Sequence, residues 1–582
     1  MRNYMSLMLL VLIIMLPVNV FAYPDTYTTK PTEEVSIDDF PTLIDSPNSI
    51  KDDYDRLFLD VNTKIKTLMD LKQYNSEHNN VTLWSEPQEQ TIYSTLENMA
   101  IYVRSALKVM DSPTDYEWIE EQIDSIITLY EHTLLLIDDL DSTYVTTTSV
   151  EILDALEEGH ASGLILKTPY LKERIESIGI ASSRSLGNIN PPRQLHVKDD
   201  KTIVEVNPAS LVFDIQNTAR KFAVIENRVN DYYGEENVRD LWFEIKISSE
   251  RVTDTMVLPI QKEVMQSFGD TPVSRIGLET DGIMLAIHKL DLSKKSDSEL
   301  QISFEDSKTL ANLPEDAFIK GYAVDLKYSV DSVEQEVLIR PALISFNLDK
   351  FDFGDDVDIN SLSIHRFNEE TNSWEPVGGA YDPITNTLAV NRLNLSQYTI
   401  MRTNRFFSDI SNSSAEVEIQ SLLNKGVFEP ESSFDPKALV TRRELASWIS
   451  RAYGLVDPDA TEPFVDVQDT DPSFSEIAAG FSAGILTSRS ENQFSPDENV
   501  TREELALIVS NLLVNYEQKV LNDNLVTELN GISDIQTVSA DKIGQFALMI
   551  ELDLLQLENE ILNPQGEVSR EQVATLLEKI LG

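Results

Sequence analysis

The chain has 582 residues, with 98 Asp and Glu against 47 Lys and Arg, and its formal net charge is −51. Because nucleic-acid binding needs a basic surface, this balance argues against a nucleic-acid partner. The absence of cysteine excludes disulfides, thiolate metal sites and cysteine nucleophiles. Hydrophobic residues make up 41% of the chain, so we predict a folded, acidic protein of several domains.

The N-terminus has the pattern of a secretory signal peptide over 1–22. A basic residue precedes an apolar run over 5–16, and Val20 and Ala22 are small residues that suit a cleavage site. A membrane anchor is the alternative, but the run is shorter than the roughly 20 residues that a membrane span requires. We therefore predict export, no membrane association after cleavage, and a flexible polar lead-in over 23–47.

Residues 48–190 repeat their apolar positions with the period of an α-helix. Ile92, Leu96, Met99 and Val103, for example, are separated by three or four residues, which places them on one helix face. We recognise four such stretches, the last of them near 149–178. Four helices with one apolar face each pack most simply as a bundle, so we predict a helical bundle here.

Beyond residue 190 the chain changes to short runs rich in β-branched and aromatic residues. The runs at 202–206 and 211–215 are examples, and turn signals such as TDG at 280–282 separate later ones. We predict two antiparallel, sandwich-like β modules, over 191–315 and 316–405.

The last part of the chain compares with itself in three copies, over 406–460, 461–525 and 526–582. Each copy has an aspartate two positions after an apolar residue, and these aspartates are Asp409, Asp466 and Asp534. Each copy then has a helix start that reads TRRE, TREE or SREQ. These starts predict three capping boxes, formed by Thr441 with Glu444, Thr501 with Glu504, and Ser569 with Gln572.

An arginine follows the capping residue in every copy, at Arg442, Arg502 and Arg570. The first turn of a helix disfavours a cation, so helix stability alone does not explain these arginines. An anion placed between the free helix N–H groups and the guanidinium would be bound by both. The alternatives are an ion pair with a neighbouring repeat and descent from one duplicated unit.

These motifs resemble the S-layer homology (SLH) domains of bacterial surface proteins, whose hallmark is a Thr-Arg-Ala-Glu tetrapeptide at a helix start. The resemblance implies an all-α, pseudo-threefold triple repeat whose grooves bind a pyruvylated secondary cell-wall polysaccharide. It further implies that Arg442, Arg502 and Arg570 meet the acidic sugar and that Asp409, Asp466 and Asp534 are groove or framework residues.

The third copy departs most from the family pattern. Leu552 stands where the first two copies have Gly426 and Gly484. The tryptophan that usually follows the opening aspartate in the family is missing from all three copies. We therefore expect Arg570 to contribute least to binding.

No catalytic motif is recognisable in the sequence. The six histidines lack HExxH spacing, and the serine of GHASG at 159–163 stands one position late for a nucleophile elbow. Acidic clusters at 349–358 and 466–471 are candidate Ca²⁺ sites, although neither has EF-hand spacing. We expect no other cofactor, and no enzymatic activity.

The sequence thus predicts a multidomain α+β protein on the wall of a Gram-positive bacterium. Three SLH repeats would hold it non-covalently on the secondary cell-wall polysaccharide of the peptidoglycan-associated envelope, with non-catalytic helical and β modules displayed outward. Two alternatives stay open. One is a wall-anchored hydrolase with an unrecognised active site within 48–405, and the other is a lattice-forming S-layer subunit.

Overall fold

A computed structural model of the chain describes its fold over most of the length. The predicted signal peptide and lead-in, 1–47, lie outside the described residues. The structure describes residues 50–77, 82, 84–108, 116–136, 142–162, 168–189, 191–233, 243–268, 271–292, 296–314, 317–319, 321–335, 337–351, 353, 357–369, 371–383, 385–402, 405–429, 432–455, 464–515, 529–552, 554–557 and 561–581. They form an α+β structure of 13 helices and two sheets.

The described part of the N-terminal region has five helices rather than the four predicted. They are α1 Ile50–Glu77, α2 Glu86–Lys108, α3 Tyr116–Leu136, α4 Ser142–Ala161 and α5 Thr168–Gly187. The stretch predicted as the fourth helix contains the end of α4 and the start of α5. A proline stands at the second position of α5, in the first turn, where its missing N–H breaks no helical hydrogen bond. The predicted apolar face of α2 is buried, with Ile92, Leu96, Met99 and Val103 at most 1% exposed.

Three hydroxyl groups form a buried polar cluster where α3, α4 and α5 meet. The Tyr130 hydroxyl lies 2.8 Å from the Ser149 hydroxyl and 3.2 Å from that of Ser182, and the two serines are 2.8 Å apart. Burial raises the pKa of Tyr130 to about 12, against the smaller opposing effect of the two serine hydrogen bonds. Because each buried hydroxyl has partners, the cluster fixes the three helices relative to one another without an unpaired polar group.

A long helix, α6 (Pro208–Tyr233), and a short one, α7 (Lys262–Phe268), lie among the strands. The run 211–215, predicted as β, belongs to α6. Its apolar spacing continues through Phe222, Ile225 and Val229, all of which are buried. A five-residue apolar run fits a strand and a helix equally well, so the longer period decides the element.

Fifteen strands of the described region form two sheets. One sheet has the order β1-β2-β4-β7-β8-β15-β11-β12, with β9 beside β8, and the other has the order β13-β14-β10-β6-β5-β3. The strands are β1 Arg193–Lys198, β2 Lys201–Val206, β3 Phe243–Ser249, β4 Thr255–Ile260, β5 Val273–Thr280, β6 Ile283–His288, β7 Ser298–Asp306, β8 Tyr322–Val330, β9 Val333–Glu334, β10 Val337–Asn347, β11 Leu362–Asn368, β12 Ser373–Gly378, β13 Ala380–Asp382, β14 Thr387–Asn394 and β15 Gln397–Arg402.

The sheets differ from the prediction in two respects. They are mixed rather than purely antiparallel, because β2 pairs with β4 and β3 with β5 in parallel. Strands from both sides of residue 315 also share each sheet, since β7 pairs with β8 and β6 with β10. Local apolar runs identify strands, but they do not reveal which strands pair across a long connection.

Within the described residues, six helices belong to the three C-terminal copies. They are α8 Glu416–Asn424, α9 Arg442–Tyr453, α10 Phe474–Ser482, α11 Arg502–Asn515, α12 Ile543–Glu551 and α13 Arg570–Leu581. Their buried apolar residues form one cluster, from Phe407 to Leu577, which is separate from the cluster of the bundle and sheets. None of the helices within the described residues is long and apolar enough to cross a membrane.

The first copy packs directly on the strands. The Arg392 guanidinium, on β14, donates from Nη1 to the Arg451 carbonyl oxygen at the end of α9 (3.4 Å). Asn424 Nδ2 donates to the Asn360 carbonyl oxygen at 2.8 Å. Gly426, at a φ of 75°, lies so close to Pro376 that a Cβ would be 2.5 Å from its ring. The β region and the first copy are therefore in close contact.

Candidate functional site

Each of the three copies places its predicted helix start at the border with another copy. Thr441 and Glu444 exchange hydrogen bonds at the start of α9, with Thr441 N donating to Glu444 Oε2 (2.8 Å) and Glu444 N to Thr441 Oγ1 (3.3 Å). The corresponding pairs at α11 and α13 are Thr501 with Glu504 and Ser569 with Gln572. Each cap satisfies two backbone N–H groups at its helix start.

Three valines join the copies in a closed ring of backbone hydrogen bonds. Val500 N donates to Val440 O (2.9 Å), Val568 N to Val500 O (3.1 Å), and Val440 N to Val568 O (3.0 Å). The first and the last copy are therefore neighbours, although they are far apart in sequence. Each helix start faces the loop of the next copy around this ring.

The aspartates shape the loop that precedes each helix start. Asp466 accepts hydrogen bonds from Phe494 N (2.9 Å) and Ser495 N (2.8 Å). Asp409 and Asp534 do the same in their copies, where they accept from the pairs Phe434/Asp435 and Leu562/Asn563. The second residue of each pair has a positive φ, of 54°, 58° and 49° in Asp435, Ser495 and Asn563. The carboxylates therefore stabilise a strained loop.

Two opposing influences act on the pKa of Asp409. Partial burial raises it, but hydrogen bonds from the Phe434 and Asp435 N–H groups, together with the charge of Arg570, outweigh the burial. The pKa of Asp409 is therefore below its ordinary value of 3.8. The carboxylate is ionised at neutral pH and accepts both bonds.

Arg442 is buried, with 2% of its side chain exposed. It donates to the carbonyl oxygens of Phe494 (2.6 Å) and Thr487 (2.8 Å) and to Glu504 Oε1 (3.2 Å), all in the second copy. The guanidinium also lies 4.5 Å from the centroid of the Phe494 ring. Burial lowers its pKa, against the raising effect of Glu504. Arg442 thus joins the first copy to the second.

Arg502 repeats this arrangement one copy further. It is 3% exposed and donates to the carbonyl oxygens of Leu562 (2.8 Å) and Gln556 (2.6 Å) in the third copy. In the capping box of the third copy the neutral Gln572 occupies the position that Glu504 has in the second. Both of these hydrogen bonds from Arg502 therefore go to backbone carbonyl oxygens.

Arg570 closes the ring but keeps contact with solvent. It donates from Nη1 to the Phe434 carbonyl oxygen (2.5 Å) and forms an ion pair with Glu444 of the first copy. Its side chain is 26% exposed, against 2% for that of Arg442. Of the three motif arginines, Arg570 is the one that a ligand in solvent can reach most easily. The sequence had led us to expect that it would contribute least to binding.

The N–H groups at the helix starts are already used. Arg442 N donates to Glu498 O (2.9 Å), Arg502 N to Gly566 O (2.8 Å) and Arg570 N to Ala438 O (2.9 Å). The next N–H in each helix donates to a proline carbonyl oxygen of the neighbouring copy. The sequence-based arrangement, with an anion between free helix N–H groups and the guanidinium, is thus not the one formed, because the neighbouring copy supplies the acceptors. Ligand binding by the three arginines stays a prediction.

The residue after each arginine also reaches the next copy, and sequence reasoning missed it. Arg443 contacts Asp471 and lies 3.0 Å from Asp497 Oδ1. In the other copies the residue is an acid. Glu503 accepts from Ser539 N (2.7 Å), and Glu571 accepts from the Ser413 hydroxyl (2.8 Å) and pairs with Lys437, whose side chain is 73% exposed. The sequence offered one signal for these contacts, because the charge at this motif position is positive in the first copy and negative in the other two.

A comparison with protein families identifies a domain in this region. A family model of the S-layer homology domain matches residues 463–506, which contain the second copy from its opening motif to the start of α11. The resemblance noted from the sequence is confirmed by this match. Within the described residues no group of three His, Asp or Glu is arranged to hold a metal ion.

Three curated relatives share part of the chain. An amylopullulanase of Thermoanaerobacterium thermosulfurigenes is 26% identical over 253 residues, which is 42% of this chain and 13% of that protein. An endoglucanase of Bacillus sp. (strain KSM-635) is 29% identical over 184 residues, 31% of this chain and 19% of that protein. Cell surface glycoprotein 1 of Acetivibrio thermocellus is 25% identical over 161 residues, 26% of this chain and 7% of that protein.

These relatives correct one expectation. Two of them are named as glycoside hydrolases, so the prediction that the chain has no enzymatic activity is wrong as stated. The matched segments span less than a fifth of each relative. The chain carries an S-layer homology domain, which supports a location at the cell wall or cell surface of a bacterium.

Proposed function

We propose that the three C-terminal copies anchor the chain non-covalently to the cell wall by binding an acidic, pyruvylated secondary cell-wall polysaccharide. The observation that carries the proposal is the S-layer homology match at 463–506, on a unit whose joint contacts recur in the other two copies. The closed ring of Val440, Val500 and Val568 supports a pseudo-threefold unit in which each copy contacts the other two. The bundle and the sheets, packed as a sandwich-like body, extend from this anchor.

The joint between the third and the first copy is the proposed contact for the acidic sugar. Arg570 is partly exposed there, and Lys437 is mostly exposed. The acids Glu444 and Glu571 now pair with them. Each pair has a cation that solvent reaches, with 73% of the Lys437 side chain and 26% of the Arg570 side chain exposed, so a sugar carboxylate can contact both cations from the solvent side. Arg442 and Arg502 support binding by holding the copies together, and the three aspartates support it by shaping the loops.

Pelleting of the full chain with purified cell-wall sacculi tests this function. We expect the chain to sediment with intact sacculi and to stay in solution after the polysaccharide has been stripped. Arg570→Ala and Lys437→Ala should each weaken binding about tenfold, the effect of losing one charge-assisted hydrogen bond. Lys579→Ala, which removes an exposed cation from the same helix as Arg570, is the matched control.

Two results would count against the proposal. Sedimentation that survives removal of the polysaccharide would show that another wall component holds the chain. Equal binding of the parent, Arg570→Ala and Lys437→Ala would show that the contact lies at another joint, and Arg443 would then be the next residue to change.

A wall-anchored glycoside hydrolase is the second candidate function. The names of the two relatives, amylopullulanase and endoglucanase, favour it. Release of reducing ends from soluble starch, pullulan and carboxymethylcellulose by the purified full chain tests it. Activity that co-purifies with the chain would support the hydrolase. No release above that of a heat-denatured sample would reject it for these substrates.

A further inference from the structure

Loops at the ends of several strands surround an open cleft in the described part of the β region. One side has a volume of 680 Å³ and the other 970 Å³, and the two sides share Arg251 and Asp254. Their linings come mainly from the β3–β4 loop, the β5–β6 turn, and the end of β7 with the segment that leads to β8, together with Asp200 and Lys350. Volumes of this size accommodate small ligands. The cleft is formed by residues of the β region, so a role for it is independent of the repeats.

Arg251 stands at the centre of the cleft with its guanidinium held in place. The guanidinium lies 4.0 Å from the ring centroid of Phe304 and donates to Asp254 Oδ1 (2.6 Å) and Asp281 Oδ2 (3.1 Å). Within the described residues these bonds use two of the five N–H donors of a guanidinium, and 28% of the side chain is exposed. A planar donor group that is already fixed on a ring loses little conformational entropy when a ligand binds.

An aromatic ring extends the wall beside Arg251. The Tyr322 hydroxyl donates to the Asp281 backbone oxygen (2.5 Å), and the ring packs 5.0 Å from that of Phe304, edge to face. Tyr322 is half-buried and lines the cleft. The cleft therefore offers an orientated apolar ring next to orientated hydrogen-bond donors, a combination that suits a ligand with both C–H and O–H faces.

The charges around the cleft limit the class of ligand. The lining contains six acidic and three basic residues, and this excess of acids disfavours an anion. The rim nevertheless contains both donors and acceptors, because exposed Asp254, Glu305 and Lys308 line the same side of the cleft. A hydroxyl both donates and accepts, so neighbouring hydroxyls of one ligand can bridge such a rim without adding charge.

We propose that this cleft binds a neutral oligosaccharide. Arg251, Asp254 and Lys308 contact its hydroxyl groups, and the Tyr322 ring contacts a sugar face. The open form of the cleft accommodates several sugar units of a chain. This inference does not depend on anchoring by the repeats, because the residues that line the cleft in the described part of the chain all belong to the β region.

Isothermal titration calorimetry of the full chain tests the ligand class. The probes are cellohexaose and maltohexaose, with a galacturonic acid hexamer as the acidic comparison. We expect at least one neutral probe to bind with a Kd below about 1 mM and the acidic hexamer to bind at least tenfold more weakly. No binding of either neutral probe up to about 10 mM, or tighter binding of the acidic hexamer, overturns the proposal.

Variants locate the binding in the cleft. Arg251→Met removes the donors but keeps an apolar stem over Phe304, and should weaken binding of the neutral probe about tenfold or more. Arg275→Met is its matched control, because Arg275 is similarly exposed and pairs with Glu244 outside the cleft. Lys308→Met should weaken binding of the neutral probe about threefold to tenfold, whereas Lys327→Met should leave it unchanged.

The exposed Lys308 keeps the test decisive if Arg251→Met fails to fold, as judged by near-ultraviolet circular dichroism. Asp254→Asn serves the same purpose, since its side chain is 82% exposed. Parent-like binding by the folded cleft variants, or an equal loss in the two controls, would show that the sugar binds elsewhere and would overturn the proposal.

Discussion

The joints between the repeats hold the same motif arginine in two different environments. At the first two joints Arg442 and Arg502 are buried and donate to backbone carbonyls of the next copy. At the joint that closes the ring, Arg570 also donates to a backbone carbonyl oxygen and pairs with Glu444, but its side chain is partly exposed. A buried guanidinium must keep its partners, because an unpaired buried charge is costly, whereas an exposed one can exchange them. Burial, rather than the motif, therefore separates a structural arginine from one available to a ligand.

Arg442→Ala should have the largest effect of the changes that test this contrast. It leaves the carbonyl oxygens of Phe494 and Thr487 without this donor and removes one of the two arginines that contact Glu504. Because these contacts hold a buried guanidinium, the free energy of unfolding should fall by about 3–5 kcal/mol. Urea unfolding followed by circular dichroism measures the loss. Arg442→Lys keeps the charge but not the planar guanidinium, so its stability should lie between those of the parent and Arg442→Ala. A stability equal to that of the parent would contradict the structural role.

Asp466→Ala should follow in size. The change removes the acceptor of the Phe494 and Ser495 N–H groups and frees a loop residue with a positive φ, at a cost of about 2–3 kcal/mol of unfolding free energy. Asp466→Asn keeps one acceptor oxygen and should lose less. Asp469→Ala, at an exposed position nearby, is the control and should change the unfolding midpoint little. Equal losses in Asp466→Ala and Asp469→Ala would mean that the carboxylate does not hold the loop.

Arg570→Ala should cost only about 1 kcal/mol of unfolding free energy, because its ion pair is partly exposed and solvent screens it. The dependence of stability on salt concentration distinguishes this joint from the two buried ones. Raising sodium chloride from about 0.1 M to about 1 M should shrink the difference between Arg570→Ala and the parent and leave that of Arg442→Ala nearly unchanged. The same salt response in both variants would remove the proposed distinction.

The smallest expected effect concerns the pKa of Asp409. Backbone hydrogen bonds and the charge of Arg570 together hold this pKa below 3.8, so removing the arginine should raise it toward that value. A carboxyl with a depressed pKa stabilises the folded state above its unfolded-state pKa, and the contribution is lost as the pH falls through the folded-state pKa. Carboxyl ¹³C titration of the parent and Arg570→Ala measures the change. A constant pKa would show that the arginine charge does not reach Asp409.

Sequence reasoning was most successful where the information is local. The apolar face of α2 and the residues at the three helix starts depend on spacings of three or four residues, which a single helix dictates. The run 211–215 shows the limit, because five apolar residues suit a strand as well as a turn of α6. Pairing of β7 with β8 and of β6 with β10 depends on which distant strands meet, and apolar runs do not encode this.

The sequence by itself determined that three copies of one unit end the chain, that each begins a capped helix with an arginine, and that the chain is strongly acidic. Only the tertiary structure decided what those arginines contact. Closure of the ring brings the loop of one copy over the helix start of another, which buries Arg442 and Arg502 and leaves Arg570 in reach of solvent. The physical reason is that the free energy of a charge depends on its surroundings, and distant parts of the chain supply those surroundings.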